Sequence, residues 1–174
     1  MRMPCIVRWP GKVPAGLVCD ELWTTMDLLP TLAALAGAPL PARPIDGHDV
    51  RPILLGIPGA RSPWDEEGFA YYLMDQLQAV RSGPWKLYLP FEQKYVSLAR
   101  QTAPARLELY DVRNDVGETR EASGADPDVV RRLLALAERV RAELGDGDRP
   151  GRGQRPAGQV EHPRPLTQSP TLMP

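Results

Sequence analysis

The side chains able to do chemistry are few and scattered. There are two histidines and two cysteines among 174 residues. His48 sits in Asp46-Gly47-His48-Asp49, a turn pattern. A turn histidine can face a pocket, although such residues more often lie on the surface. One histidine beside aspartates does not make a metal site, because no second His or Cys stands at ligand spacing. His162, between Glu161 and Pro163, reads as solvent-exposed. Cys5 and Cys19 are too few for a disulfide framework or a structural zinc site and read as two small buried residues, with a bridge between them left open. No G-x-S-x-G elbow, P-loop or G-x-G-x-x-G occurs. Asp65-Glu66-Glu67 reads as a solvated acidic loop, and Asp146 with Asp148 as a weak cation pair at best. Arg131, Arg132, Arg139 and Arg141 read as the polar face of a helix, and Lys86 as a strand residue facing solvent. Trp9, Trp23, Trp64 and Trp85 read as core or interface residues. No catalytic set assembles from these groups.

The elements that would position them are better marked. Pro4 to Pro10 reads as a short strand centred on Ile6 and Val7. Thr24 to Gly37 reads as a helix, with Asp27 as N-cap, Leu28, Leu29, Leu32, Leu35 and Ala36 on one face, and Gly37 at C′. Ala38 to Pro63 is rich in turns, with a helical turn predicted at Val50–Leu55. Strands are expected at Phe69–Met74, Leu77–Ser82, Trp85–Leu89 and Leu107–Val112, as an antiparallel meander with one buried face. Asp126, Pro127 and Gly145 bracket a helix over Pro127–Leu144. Its apolar stripe is Val130, Leu133, Leu134, Ala137, Val140 and Leu144. Residues 146–174 are rich in Gly and Pro, and no Phe, Trp or Tyr follows Tyr110, which predicts a disordered tail. A net charge of −1 offers no electrostatic case for nucleic acid or an anionic membrane, and no run approaches a membrane span. The opening Met1-Arg2-Met3-Pro4 runs into a short apolar stretch that breaks at Arg8 and does not read as a signal peptide.

Five stretches in order, Arg2 to Gly11, Asp27 to Gly37, Asp46-Gly47 with Pro52 to Gly56, Ala79 to Leu87, and Glu108 to Glu118, together resemble the sulfatase family of the alkaline-phosphatase-like superfamily, arylsulfatases in particular. Arg2-Met3-Pro4 with Cys5 to Gly11 resembles its Arg-x-Pro element and following strand. Asp27-Leu28-Leu29-Pro30-Thr31 resembles the next helix, and Asp46-Gly47 followed by Pro52 to Gly56 the next landmark. Ala79 to Leu87 resembles a strand pair of the C-terminal subdomain. Glu108-Leu109-Tyr110-Asp111 through Asp115-Val116-Gly117-Glu118 resembles L-Y-D-L…D-P-G-E, with Val116 in place of proline.

The resemblance implies an α/β (α+β) architecture: the C-terminal edge of an alkaline-phosphatase-like sheet domain over 1–60, and a small four-stranded antiparallel sheet with a packed helix over 61–145. It implies sulfate-ester hydrolysis by the parent enzyme, with calcium and a formylglycine made from a C/S-x-P-x-R motif. Cys5 precedes Ile6-Val7-Arg8 and Cys19 precedes Asp20-Glu21-Leu22, so neither makes that motif. No catalytic, cofactor or metal residue is expected here. The expected partner is an N-terminal catalytic domain, against which Pro4–Trp9 and the Thr24–Gly37 helix would pack. A periplasmic or secreted location is typical of the family. A substrate contact, if this chain makes one, is expected at His48 or in the loop over 91–106. Two other readings share these landmarks: a free-standing binding or assembly module derived from a sulfatase, and part of a phosphodiester or phosphonate hydrolase.

Overall fold

The computed structural model describes residues 3–90, 106–156 and 160–162. Its centre is a four-stranded antiparallel meander in the order β1-β2-β3-β4. The strands are β1 (Phe69–Leu73), β2 (Gln76–Ser82), β3 (Trp85–Tyr88) and β4 (Glu108–Asp111). Val80 pairs with Leu87, and Leu87 pairs in turn with Leu109. Directly paired residues share a face, so these three point together. They meet Leu133, Leu136 and Ala137 of the long helix α4 (Pro127–Leu144) in one core with Leu77 and Leu89. This is the two-layer α+β unit the pattern predicts.

Helix α4 has the expected bounds, but its buried face differs from the expected stripe. Leu136 is buried, whereas Leu144 is 44% exposed. Leu136 packs on Gly68, where a Cβ would lie 2.4 Å from the leucine side chain. Leu144 is on the same helical face but at the last residue of the helix.

Ahead of the sheet lie three short helices: α1 (Leu28–Ala36), α2 (Arg51–Leu54) and α3 (Trp64–Glu67). A 3₁₀ turn, Thr25–Asp27, leads into α1, and Gly37 closes it in the left-handed region at φ 65°. The acidic run Asp65-Glu66-Glu67 forms α3 rather than a loop.

The strand expected at Pro4–Pro10 does not form among the described residues. Strand backbone needs a neighbour for its N–H and C=O groups, and the segment instead runs exposed, with Ile6 at 95%. Cys5 and Cys19, expected to be buried, are free and exposed. The expected loop over 91–106 falls, except for Arg106, outside the described residues. No helix among them is long and apolar enough to cross a membrane.

Candidate functional site

His48 is held where the first segment meets the sheet–helix unit, and the group that holds it is Asp27. Asp27 is fully buried. It does not act as a side-chain cap for α1; Thr24 opens the preceding turn instead, accepting from the Met26 amide. The Asp27 carboxylate accepts from three N–H groups: the Thr24 amide at 2.6 Å, the His48 amide at 2.8 Å and Trp64 Nε1 at 2.9 Å. A buried carboxylate is tolerable when its lone pairs are filled in this way.

Thr31, also buried, completes the grip. Its hydroxyl accepts from the Val50 amide at 2.9 Å and faces the His48 carbonyl at 3.4 Å. The preceding Gly47 lies on the 3₁₀ turn so closely that a Cβ would stand 1.9 Å from the Met26 carbonyl oxygen. Only glycine fits there.

The His48 ring packs edge-on against Trp64, with centroids 4.4 Å apart. Its Nε2 is buried, 3.4 Å from Glu67 Oε2, and not aligned for a hydrogen bond. The side chain is 22% exposed. His48 is therefore neither a free surface residue nor half of an assembled acid–base pair. It is a pinned residue with one partly open edge.

A second polar cluster lies on the sheet face opposite α4, where solvent is the expected neighbour of Lys86. Lys86 is instead buried. Its Nζ donates to Glu118 Oε1 at 2.9 Å and to the Tyr88 hydroxyl at 2.5 Å, and lies 4.2 Å from the Tyr88 ring centroid. The Tyr88 hydroxyl in turn meets Glu118 Oε2 at 2.5 Å. Burial pushes the Glu118 carboxyl up, but hydrogen bonds from Tyr88 and Lys86, with the lysine charge, outweigh it and hold the group below its ordinary value. Burial, then the bond to Glu118, pushes the Tyr88 hydroxyl well up. Burial, then the Glu108 carboxylate, pushes neighbouring Tyr110 up to about 12. These hydroxyls remain protonated donors at neutral pH. Alternation places Lys86 and Tyr88 on one face; Glu118, 32 residues beyond Lys86, is what sequence reading missed.

Three other candidates, Arg132, Arg141 and Asp146, make structural contacts. Arg132 donates to Ser82 Oγ at 2.8 Å. Asp146 accepts from the Leu77 amide at 2.8 Å and from Arg141 Nε at 2.7 Å, so its carboxylate is filled by protein donors. His162 is exposed. Among the described residues, no group of three or more His, Cys, Asp or Glu side chains could hold a metal ion.

Residues 1–142 match the family model for the C-terminal region of N-sulphoglucosamine sulphohydrolase. The chain belongs to the sulfatase family. It is 34% identical to arylsulfatase A of Homo sapiens over 92% of its length, and 34% identical to steryl-sulfatase of Mus musculus over 99%. It covers 35% and 29% of those proteins, so it spans about a third of the curated relatives it matches. A solved structure from the work on metabolism of multiple glycosaminoglycans by Bacteroides thetaiotaomicron superposes with a TM-score of 0.61. That match has 29% identity and covers 78% of this chain and 28% of that one. The sheet with its packed helix is thus the C-terminal unit of a sulfatase of alkaline-phosphatase-like fold.

The calcium and formylglycine that the family implies do not fit the residues present. Neither cysteine has the C/S-x-P-x-R sequence, and the described residues hold no metal-binding group.

Proposed function

We propose that this chain is the C-terminal portion of a sulfatase whose complete polypeptide hydrolyses sulfate esters, aryl or carbohydrate, to alcohol and sulfate. The observation that carries the reading is a match to sulfatases over nearly the whole chain that covers only about a third of each relative. The formylglycine and calcium of the family belong to the remaining two-thirds, which is this chain's partner. No catalytic step is assigned to residues here. Their part is architectural: the sheet–helix unit walls one side of the cleft, and His48 stands at its rim. The pinned backbone and partly open ring of His48 suit a contact residue. The exposed apolar side chains of residues 3–40, Ile6, Val18, Leu29 and Leu32 among them, suit a surface that the N-terminal domain covers.

The test is turnover by the complete polypeptide on an aryl sulfate and an aryl phosphate diester. Preferential hydrolysis of the sulfate is expected; preference for the diester would replace the reading with the related phosphodiesterase chemistry. His48→Ala is expected to raise KM with little change in kcat, and an unchanged KM would remove His48 from the rim.

A further inference from the structure

The Gly- and Pro-rich composition of 146–174 predicts a disordered tail, yet its first ten residues are fastened by a series of hydrogen bonds. The last turn of a helix leaves four carbonyls without intrahelical partners. In α4 all four are taken by the chain that follows. Gly145 N donates to Arg141 O at 2.9 Å, Arg152 N to Ala142 O at 2.9 Å, Gly153 N to Glu143 O at 2.8 Å and Gln154 Nε2 to Leu144 O at 2.6 Å. The intervening residues make a small hairpin: Asp146 N donates to Arg149 O at 2.9 Å and Gly147 N to Asp75 O at 2.8 Å. Tyr72 donates its hydroxyl to Gly145 O at 2.6 Å. Gly151 allows the return path, since a Cβ there would stand 2.3 Å from both Glu143 O and Gly145 N. The glycines serve close packing here.

This returning segment carries Arg155 to the first region of the chain. Its guanidinium donates to Pro44 O at 2.7 Å and to Asp46 Oδ2, across 111 and 109 residues of sequence. Asp46 lies two residues before His48. Asp27 and Thr31 hold the 48–50 backbone from the α1 side, and Arg155 holds the preceding turn from outside.

We propose that residues 145–155 form a clasp that fastens the Pro44–Asp46 turn, and with it His48, to the sheet–helix unit, with Arg155 as its positioning residue. The clasp lies beyond the residues that match the family model, which end at 142. It stands independently of the reaction proposed above; only its bearing on the cleft rim rests on that reading.

The experiment is hydrogen exchange on the 174-residue chain, followed at the His48 and Val50 amides, both bonded to groups of the α1 region. An exposed arginine contact of this kind is worth little in global stability, so its removal should act locally. Arg155→Ala is expected to speed exchange at these two amides about two- to fivefold, leaving the β2–β4 amides unchanged. Gly151→Ala displaces the clasp without touching Arg155 and should act in the same direction. Arg155→Lys should recover part of the protection. Unchanged exchange at His48 and Val50 in Arg155→Ala, the same change across the sheet, or a wild-type chain without protection at these amides would each overturn the proposal.

Discussion

Residues 3–60 and residues 69–144 both carry regular apolar patterns, but the second region buries far more of its own, the first contributing Val50 and Ile53 to the buried apolar side chains. Leu77, Val80, Leu87, Leu109, Leu133 and Ala137 are at most 1% exposed. In the first region Ile6, Val18, Leu29 and Leu32 are exposed by half or more, and its most deeply buried side chains include the polar Asp27 and Thr31. One region is therefore held by a hydrophobic core. The other is held by a few hydrogen bonds converging on a buried carboxylate and a hydroxyl. This difference is what the proposed C-terminal portion of a larger enzyme would show: one layer pair complete in itself, and one surface whose apolar side would lie against another domain.

The comparison can be broken at either side. The largest effect is expected in the core. Leu87→Ala should cost about 2–5 kcal/mol by denaturant unfolding, because it removes a fully buried side chain and leaves a cavity. A loss below about 1 kcal/mol would mean that the sheet–helix unit is not the stable part.

Asp27→Ala comes next. It strands the His48 amide and Trp64 Nε1 without an acceptor, and a buried donor left unpaired costs about 1–3 kcal/mol. The loss should appear as faster exchange over residues 46–50, with α4 unaffected. Equal loosening of α4 would show that the two regions unfold together.

Glu118→Gln is expected to cost about 1–3 kcal/mol by weakening the charged bond to buried Lys86. Its pH dependence sharpens the point. The folded carboxyl is held below its ordinary value, so it stabilises the fold above the unfolded-state pKa of about 4.3, and that stability is lost as pH falls through the lower folded value. Thermal melts of wild type and variant should therefore differ at neutral pH and converge in acid. A difference that persists in acid would assign the effect to shape rather than charge.

The smallest effect is expected at Leu29, 52% exposed on α1. Leu29→Ser should change the stability of this chain by no more than about 0.5 kcal/mol. In the complete polypeptide, where the proposed N-terminal domain covers that surface, the same change should cost clearly more.

The core was legible in the sequence because its signals are local. Asp126, Pro127 and Gly145 bracket α4 within a few residues, and alternation marks β2 and β3. The grip on His48 was not legible, because Asp27 meets partners 21 and 37 residues away. Its acidic side chain before an apolar run looks like a cap, and only the fold brings Trp64 to it. Lys86 fails for the same reason: alternation shows which face it takes but not that Glu118 will cover that face. Composition misled at residues 146–155, where glycines that suggest freedom instead let backbone lie against the end of α4. Pro4–Pro10 has the pattern of a strand, but a pattern cannot supply a neighbouring strand.

The contrast between the two regions is tested most directly by native-state hydrogen exchange on the chain itself, comparing α1 with α4. The amides of Leu133, Leu136 and Ala137 should exchange about a hundredfold or more slowly than those of Leu32 and Leu35, since one helix is sealed by a core and the other lies open. A single rate for both helices, tracking global unfolding, would contradict it and would mark the chain as one self-sufficient module.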